Sequence, residues 1–392
     1  MNQNEPSEER EQKPQSGVPL PLKILGALCA LGGISSLVDL VPILFSLFDS
    51  AQTEGTKIAT LVIYGVLIVL LIASAALFVV LGYRLIKDRR AHAAHAAQAL
   101  AVLTILSIIA TMMLFGLSAH HIGYLIQLIV LIALTTYLDP SLAEERALQR
   151  KLKKMNKEQQ KEEKKKIEAA KPKKGLITLN FFNLFWIFVV CCILGLIIET
   201  VFHFVVFHEY QDRAGMLFGP FSPIYGFGAL LMTIALNRFY RAPVWVIFLV
   251  SAVIGGAFEF FTSWIMEFAF GIVAWDYSGT FLSIDGRTNF AFMVAWGVLG
   301  LAWIKLLLPK LLQLINMIPW NWRYSVTGVC AVLMLINGIM SIQAMDCWYQ
   351  REAGIEPSTP IEQFYAEHFD NEYMQNRFQT MTMDTSNATR TK

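Results

Sequence analysis

The chain has 392 residues, enough by length for two or three soluble domains, but 55% of them are hydrophobic and only 16% are charged. Soluble domains carry roughly 25% charged residues, and a mean hydropathy of +0.49 leaves too little polar surface to dissolve a fold of this size. The net charge of +2, with the basic residues massed in one mixed-sign run, excludes a folded basic face for nucleic acid.

Residues 1–19 are polar, with Glu5, Glu8, Glu9, Arg10, Glu11 and Lys13, and read as a disordered head. The first apolar run is long, and no basic start or small-residue cleavage site frames it, so the expectation is a membrane span rather than a removed leader. Four candidate spans follow at 20–48, 58–85, 97–117 and 122–138. Each is near the roughly 20 residues that a bilayer core requires. They make a first bundle, 20–138. Residues 139–178 form a charged linker in which Glu and Lys recur at helical spacing. Five further spans, at 179–207, 221–238, 243–270, 290–308 and 324–348, make a second membrane domain, 179–348, and residues 349–392 are a polar tail. The expected fold class is all-α: a polytopic membrane protein of about nine transmembrane helices in two bundles, four and five, joined by the linker.

Lys and Arg in short loops favour the cytoplasm. Arg84, Lys87, Arg89 and Arg90, then the lysine-rich linker, then Arg238, Arg241, Lys305, Lys310 and Arg323 all fall on one side in the nine-span scheme. That scheme puts the N-terminus and the linker in the cytoplasm and the tail outside, in a cell membrane of bacterial plasma-membrane type.

Ionisable residues inside spans cost at least about 2.5–3.5 kcal/mol at the helix centre and are functional candidates by default. Glu199 and His203 are four apart and share a helix face. Glu259, Ser263 and Glu267 form a second polar stripe. The loops nearby bring Arg213, then Trp275, Asp276 and Tyr277, then Asp285 and Arg287. Two arginines among these carboxylates would neutralise part of the charge and fix its geometry. Two readings stand open: a ligand site, or ties between helices and loops. The segment Gly219-Pro220-Phe221-Ser222-Pro223-Ile224-Tyr225-Gly226-Phe227-Gly228 is the other anomaly. It is either irregular backbone buried in protein or lining a cavity, or a plain helix entry with proline in the first turn.

No phosphate-cradling G-x-x-x-x-G-K-[ST] loop, H-E-x-x-H or G-x-S-x-G is present, so no nucleotide site, cofactor or catalytic residue is expected. The five cysteines are scattered, without a C-x-x-C pair. Glu199 and His203 lack the third ligand a catalytic zinc normally has, and no metal is expected. Asp39 in the first span could meet His120 or His121. The segment 311–323, with Trp320 and Trp322, suits an interfacial anchor or the docking place of a cytoplasmic partner.

The second half resembles the CmpB-like, ABC-transporter type IV permeases of bacterial membranes. The resemblance is carried by Asp212-Arg213-Ala214-Gly215-Met216-Leu217-Phe218-Gly219-Pro220-Phe221-Ser222-Pro223-Ile224-Tyr225-Gly226, by Glu259-Phe260-Phe261-Thr262-Ser263-Trp264-Ile265-Met266-Glu267, by Trp275-Asp276-Tyr277-Ser278 and Gly286-Arg287, by Glu199, and by the tail from Arg351 to Phe369. It runs over about 179–381. The family has Asn-Arg-Gly before its Gly-Pro turn, where this chain has Asp212-Arg213-Ala214-Gly215. The resemblance implies a permease subunit moving a small substrate, with ATP hydrolysis supplied by a separate cytoplasmic chain and no enzyme activity of its own. The residues expected to line the substrate path are Glu199, His203, Arg213, Gly219, Pro220, Pro223, Tyr225, Glu259, Glu267, Trp275, Asp276, Tyr277 and Arg287. The expected partners are the lipid bilayer, that ATPase, and further copies of the chain. The alternatives are a membrane enzyme or accessory factor acting on envelope or lipid substrates, and a structural or sensor protein.

Overall fold

The computed structural model describes residues 20–87, 89–118, 120–138, 179, 181–315, 317, 318 and 320–390. The expected head and the whole charged linker, 139–178, lie outside these residues. What is described is mostly helical, with seven helices long and apolar enough to cross a membrane. The fold is an all-α polytopic membrane protein. Two of the nine expected spans are shorter apolar helices, His120–Thr135 and Pro223–Leu236. At about 1.5 Å per residue, the 14 residues of Pro223–Leu236 reach about 21 Å, against a hydrocarbon core of about 30 Å.

The chain divides into two compact units. In the first, the expected opening span is two helices, α1 (Leu20–Val38) and α2 (Leu40–Gln52), broken at Asp39. Pro42 explains the break, because its ring clashes with the carbonyl four residues back, at Val38. Three more helices follow: α3 (Ile58–Ile86), α4 (Arg90–Phe115) and α5 (His120–Leu138). Helix α4 begins seven residues before the apolar run expected at 97, because Ala91, Ala93, Ala94 and Ala96 are strong helix formers whatever their hydropathy. The core of this unit gathers Leu81, Leu85, Ala97, Leu100, Leu131 and Leu134.

The second unit holds α6 (Phe181–Phe207), α7 (Pro223–Leu236), α8 (Val244–Phe270), α9 (Phe290–Ala302), α10 (Leu308–Ile315) and α11 (Trp320–Glu352). Its core is Phe182, Ile187, Met232, Leu236, Ile247, Trp303, Ile304 and Leu308. Small residues let these helices approach closely, as packing in lipid requires. A Cβ placed on Gly255 would lie 2.2 Å from Trp296, so α8 and α9 meet backbone to ring. Between α9 and α10 the helix widens into a π turn, Trp303–Leu307, where Leu308 N–H reaches Trp303 O. Pro309 sits just beyond, and the wider turn removes its ring from the carbonyl that an α-helix would present to it. The turn points the Trp303 indole inward, where Nε1 donates to Thr233 Oγ1 at 2.9 Å.

Beyond α11, two short helices, α12 (Pro360–His368) and α13 (Asn371–Arg377), carry their own caps. Thr359 and Glu362 form a reciprocal capping box, and Asp370 accepts from Tyr373 N–H. A two-residue strand, β2 (Thr382–Met383), then pairs antiparallel with β1 (Ile272–Val273).

Candidate functional site

The segment between α6 and α7 returns along α6 instead of crossing over its end. Ser222 N–H donates to the carbonyl of Cys192 at 3.1 Å, and Gly226 N–H bonds the Cys192 sulfur. Cys192 lies fifteen residues before the end of α6 at Phe207, about 22 Å along the helix axis. The loop is therefore re-entrant, and α7 starts beside the middle of α6 with Pro223 in its first turn. Ser222 makes no side-chain cap, so the orphan N–H groups of the helix start are taken up by Cys192. The close approach depends on Gly195, where a Cβ would lie 2.1 Å from the Tyr225 ring. The expected helix entry with proline is present, and irregular backbone precedes it at that depth.

The loop itself is held from several sides. Gly215 N–H donates to Phe221 O at 2.9 Å, closing it into a hairpin. From α11, Ser341 accepts from Leu217 N–H at 2.8 Å, and Asn337 brackets Phe218, donating to its carbonyl at 2.8 Å and accepting from its N–H at 3.2 Å. Gly219 turns the chain with φ +74, in the left-handed region that favours glycine.

This turn brings three expected residues together. Arg213 Nη1 lies 3.0 Å from Glu199 Oε1, and Tyr225 donates its hydroxyl to Glu199 Oε2 at 2.5 Å. Glu199 is thus engaged at both oxygens, with its charge matched. His203 is not part of this group. Its Nδ1 lies 3.0 Å from Glu209 O, and its ring packs against Phe207, because one further helical turn carries it past the reach of Arg213. Pro220 is exposed beside Gly219.

The second group surrounds α8. Glu259 is buried, and it accepts from Tyr277 hydroxyl at 3.0 Å and from Thr288 hydroxyl at 2.9 Å, with Trp296 as a further donor. Among the described residues no basic side chain pairs with it. Two turns further on, Glu267 Oε2 meets Arg287 Nη1 at 2.5 Å, and Arg287 Nε reaches Asp285 at 2.9 Å. The loop from Gly271 to Asn289 folds on itself to make this possible. Tyr277 N–H donates to Gly286 O at 2.7 Å, and Asn289 caps α9 through Phe292 N–H. Trp275 and Asp276 build this loop and do not touch the carboxylates: Trp275 Nε1 donates to Arg287 O at 2.9 Å, and exposed Asp276 accepts from Ser278 N–H at 2.8 Å. Hydrogen bonds to Ser278 hold the Asp276 carboxyl below its ordinary value.

The Tyr277 ring stacks on Phe292, with centroids 4.4 Å apart. Burial pushes its phenol well above the usual tyrosine range, and the charges of Glu259 and, further off, Glu199 act the same way.

Five contributors lay outside the expected set of residues. Thr288 and Trp296 complete the Glu259 shell, Arg377 binds the loop from the tail, and Asp346 pairs with Arg390 at 2.6 Å, both almost fully buried. Only Asp346, an aspartate in the final turns of an apolar span, was marked by its setting.

The fold and this geometry define a class: a polytopic membrane protein with a re-entrant loop at mid-helix depth and charged residues gathered round it. Residues 186–342 match the family described as "Putative ABC-transporter type IV". The match takes in Glu199, the re-entrant loop, Glu259 and Arg287, and it points to a transport-related membrane protein. No curated protein and no solved structure is similar enough to the chain to count as a match.

Proposed function

We propose that this chain is a permease-type subunit that moves a small substrate past the 208–222 loop, with ATP hydrolysis supplied by a second chain and no chemistry done on the substrate. The observation that supports this most is the seating of Ser222 on Cys192 beside Glu199. Unwound backbone at membrane depth persists only where it is buried in protein or borders a polar path, and broken helices at mid-depth are the usual substrate sites of transporters. The residues of the path are Glu199, Arg213 and Tyr225 on one side and Glu259, Tyr277 and Arg287 on the other.

Acid–base work on an envelope substrate fits less well. Both oxygens of each carboxylate are already engaged inside the protein, where a general acid or base needs one free to face its substrate. In the proposed orientation the loop opens to the outside of a bacterial plasma membrane, and the second chain docks on the basic cytoplasmic side. Gentle purification from native membranes after crosslinking tests the assignment. An ATP-hydrolysing chain in fixed ratio to this one is the expected result. Recovery of this chain alone, with no nucleotide hydrolysis in the crosslinked fraction, would overturn it.

A further inference from the structure

The re-entrant loop has a second keeper that the membrane helices do not supply. Arg377, the last residue of α13, makes three contacts with it through one guanidinium: Nη1 to Asp212 Oδ2 at 2.8 Å, Nε to Met216 O at 2.9 Å and Nη2 to Gly219 O at 2.6 Å. The three partners are spread along the loop, so a single rigid fork fixes its path. Asp212 is itself pinned, since its other oxygen accepts Ala214 N–H at 2.9 Å. Gln379, two residues on, adds a pair of bonds, accepting from Asp212 N–H at 3.0 Å and, through its own carbonyl, from Gln211 at 3.0 Å. Phe369 closes edge-on against Phe218.

The two sides of the loop differ in kind. On one side stand α6 and α11, long helices that cannot leave. On the other stands a tail of two short, separately capped helices, whose grip on the loop is mostly polar and concentrated in Arg377, with Phe369 against Phe218 beside it. Met216 O and Gly219 O lie on irregular backbone with no helix to receive them, so each needs a donor from elsewhere. The tail provides that donor from outside the spans.

We propose that the C-terminal tail is the latch on the re-entrant loop, with Arg377 as the residue that positions it, so that access to the Glu199 neighbourhood is set by whether α13 is seated. This deepens the permease reading and rests on it in taking the loop as the path. Release of α13 frees three loop contacts at once, while α6 and α11 remain in place.

Native Cys192 reports the latch directly. Its side chain is fully buried under the loop, and a membrane-impermeant maleimide, read out by peptide mapping of the full-length protein in proteoliposomes, should label it slowly. Arg377→Ala should raise that rate by about tenfold or more, as expected when charge-assisted contacts opposing a local opening are lost. Arg377→Lys, which keeps the charge without the fork, should raise it less. Cys29, in the other unit, should label at the wild-type rate in both variants. An unchanged Cys192 rate in Arg377→Ala overturns the proposal. So does a rise matched at Cys29, which would mean general loosening. If Arg377→Ala does not fold, Arg377→Lys decides by the same two sites. None of these readouts needs an ATPase, so the latch and the permease assignment can fail separately.

Discussion

Glu199 and Glu259 are both acids within apolar helices, and the second unit solves their burial in two ways. Glu199 faces an arginine that a re-entrant loop carries in to 3.0 Å. Glu259 is more buried, at 6% exposure, and meets only neutral donors: a phenol, a threonine hydroxyl and an indole. Charge pairing ties Glu199 to the position of a loop. Neutral hydrogen bonding ties Glu259 to the packing of α8, α9 and the connection between them. One is sensitive to movement of the loop, and the other to the integrity of the helix pair.

The sharpest way to break this contrast is Arg213→Met. It leaves the Glu199 charge with Tyr225 alone, and uncompensated buried charges typically cost about 3–5 kcal/mol. This pair keeps about a fifth to a quarter of its exposure, so a loss of about 3 kcal/mol is expected in thermal unfolding in detergent. Adding Glu199→Gln to that variant should recover most of the loss; no recovery would mean Arg213 acts through other contacts. Glu199→Gln alone should cost less, about 2 kcal/mol, because the freed guanidinium can turn toward solvent.

At the other carboxylate the same isosteric change should be milder. Glu259→Gln removes a charge that no cation among the described residues balances, and only one of its donors must be re-matched, so a change of about 1 kcal/mol or less is expected. A loss as large as that of Arg213→Met would show that an unrecognised cation serves Glu259. Tyr277→Phe should cost about 1 kcal/mol at neutral pH, and its clearest signature is in alkali. The folded phenol has a raised value, so the folded state holds the proton after the unfolded chain has lost it. Stability from this group is then present below the ordinary tyrosine range near pH 10 and falls as pH rises above it. The wild-type curve should bend downward there more steeply than that of Tyr277→Phe; parallel curves would remove Tyr277 from the Glu259 shell.

The same contrast separates what the sequence makes legible from what it hides. Apolar runs mark the long helices, because length and hydropathy are local properties. The arginine partners were foreseeable too, since only a few cations lie in the loops near Glu199 and Glu267. Of the shell of Glu259 only Tyr277 was among the expected residues; Thr288 and Trp296 were not, because threonine and tryptophan are common at helix ends and nothing local says which will turn inward. Asp346 and Arg390 are 44 positions apart, and Arg377 lies 165 residues beyond Asp212; polar tail residues look alike until the chain has folded. The Gly-Pro segment announced irregular backbone, but its depth follows from Gly195 and Cys192 on another helix. His203 lies four residues beyond Glu199 on the same helix, and periodicity, which fixes a face, says nothing of how far along that face a loop arginine can reach.

The π turn at Trp303–Leu307 has a consequence for descent. A π turn is an α-helix carrying one surplus residue, which the widened turn absorbs so that the residues after it keep their face. Deleting a single residue here would let the segment close as a regular α-helix with Leu308, Leu311 and Ile315 still in the core. Pro309 favours the wider turn, because its ring would meet the carbonyl four residues back in a regular α-helix. Relatives that lack this proline should be one residue shorter between the equivalents of Gly300 and Leu311, and relatives that keep it should keep the extra residue.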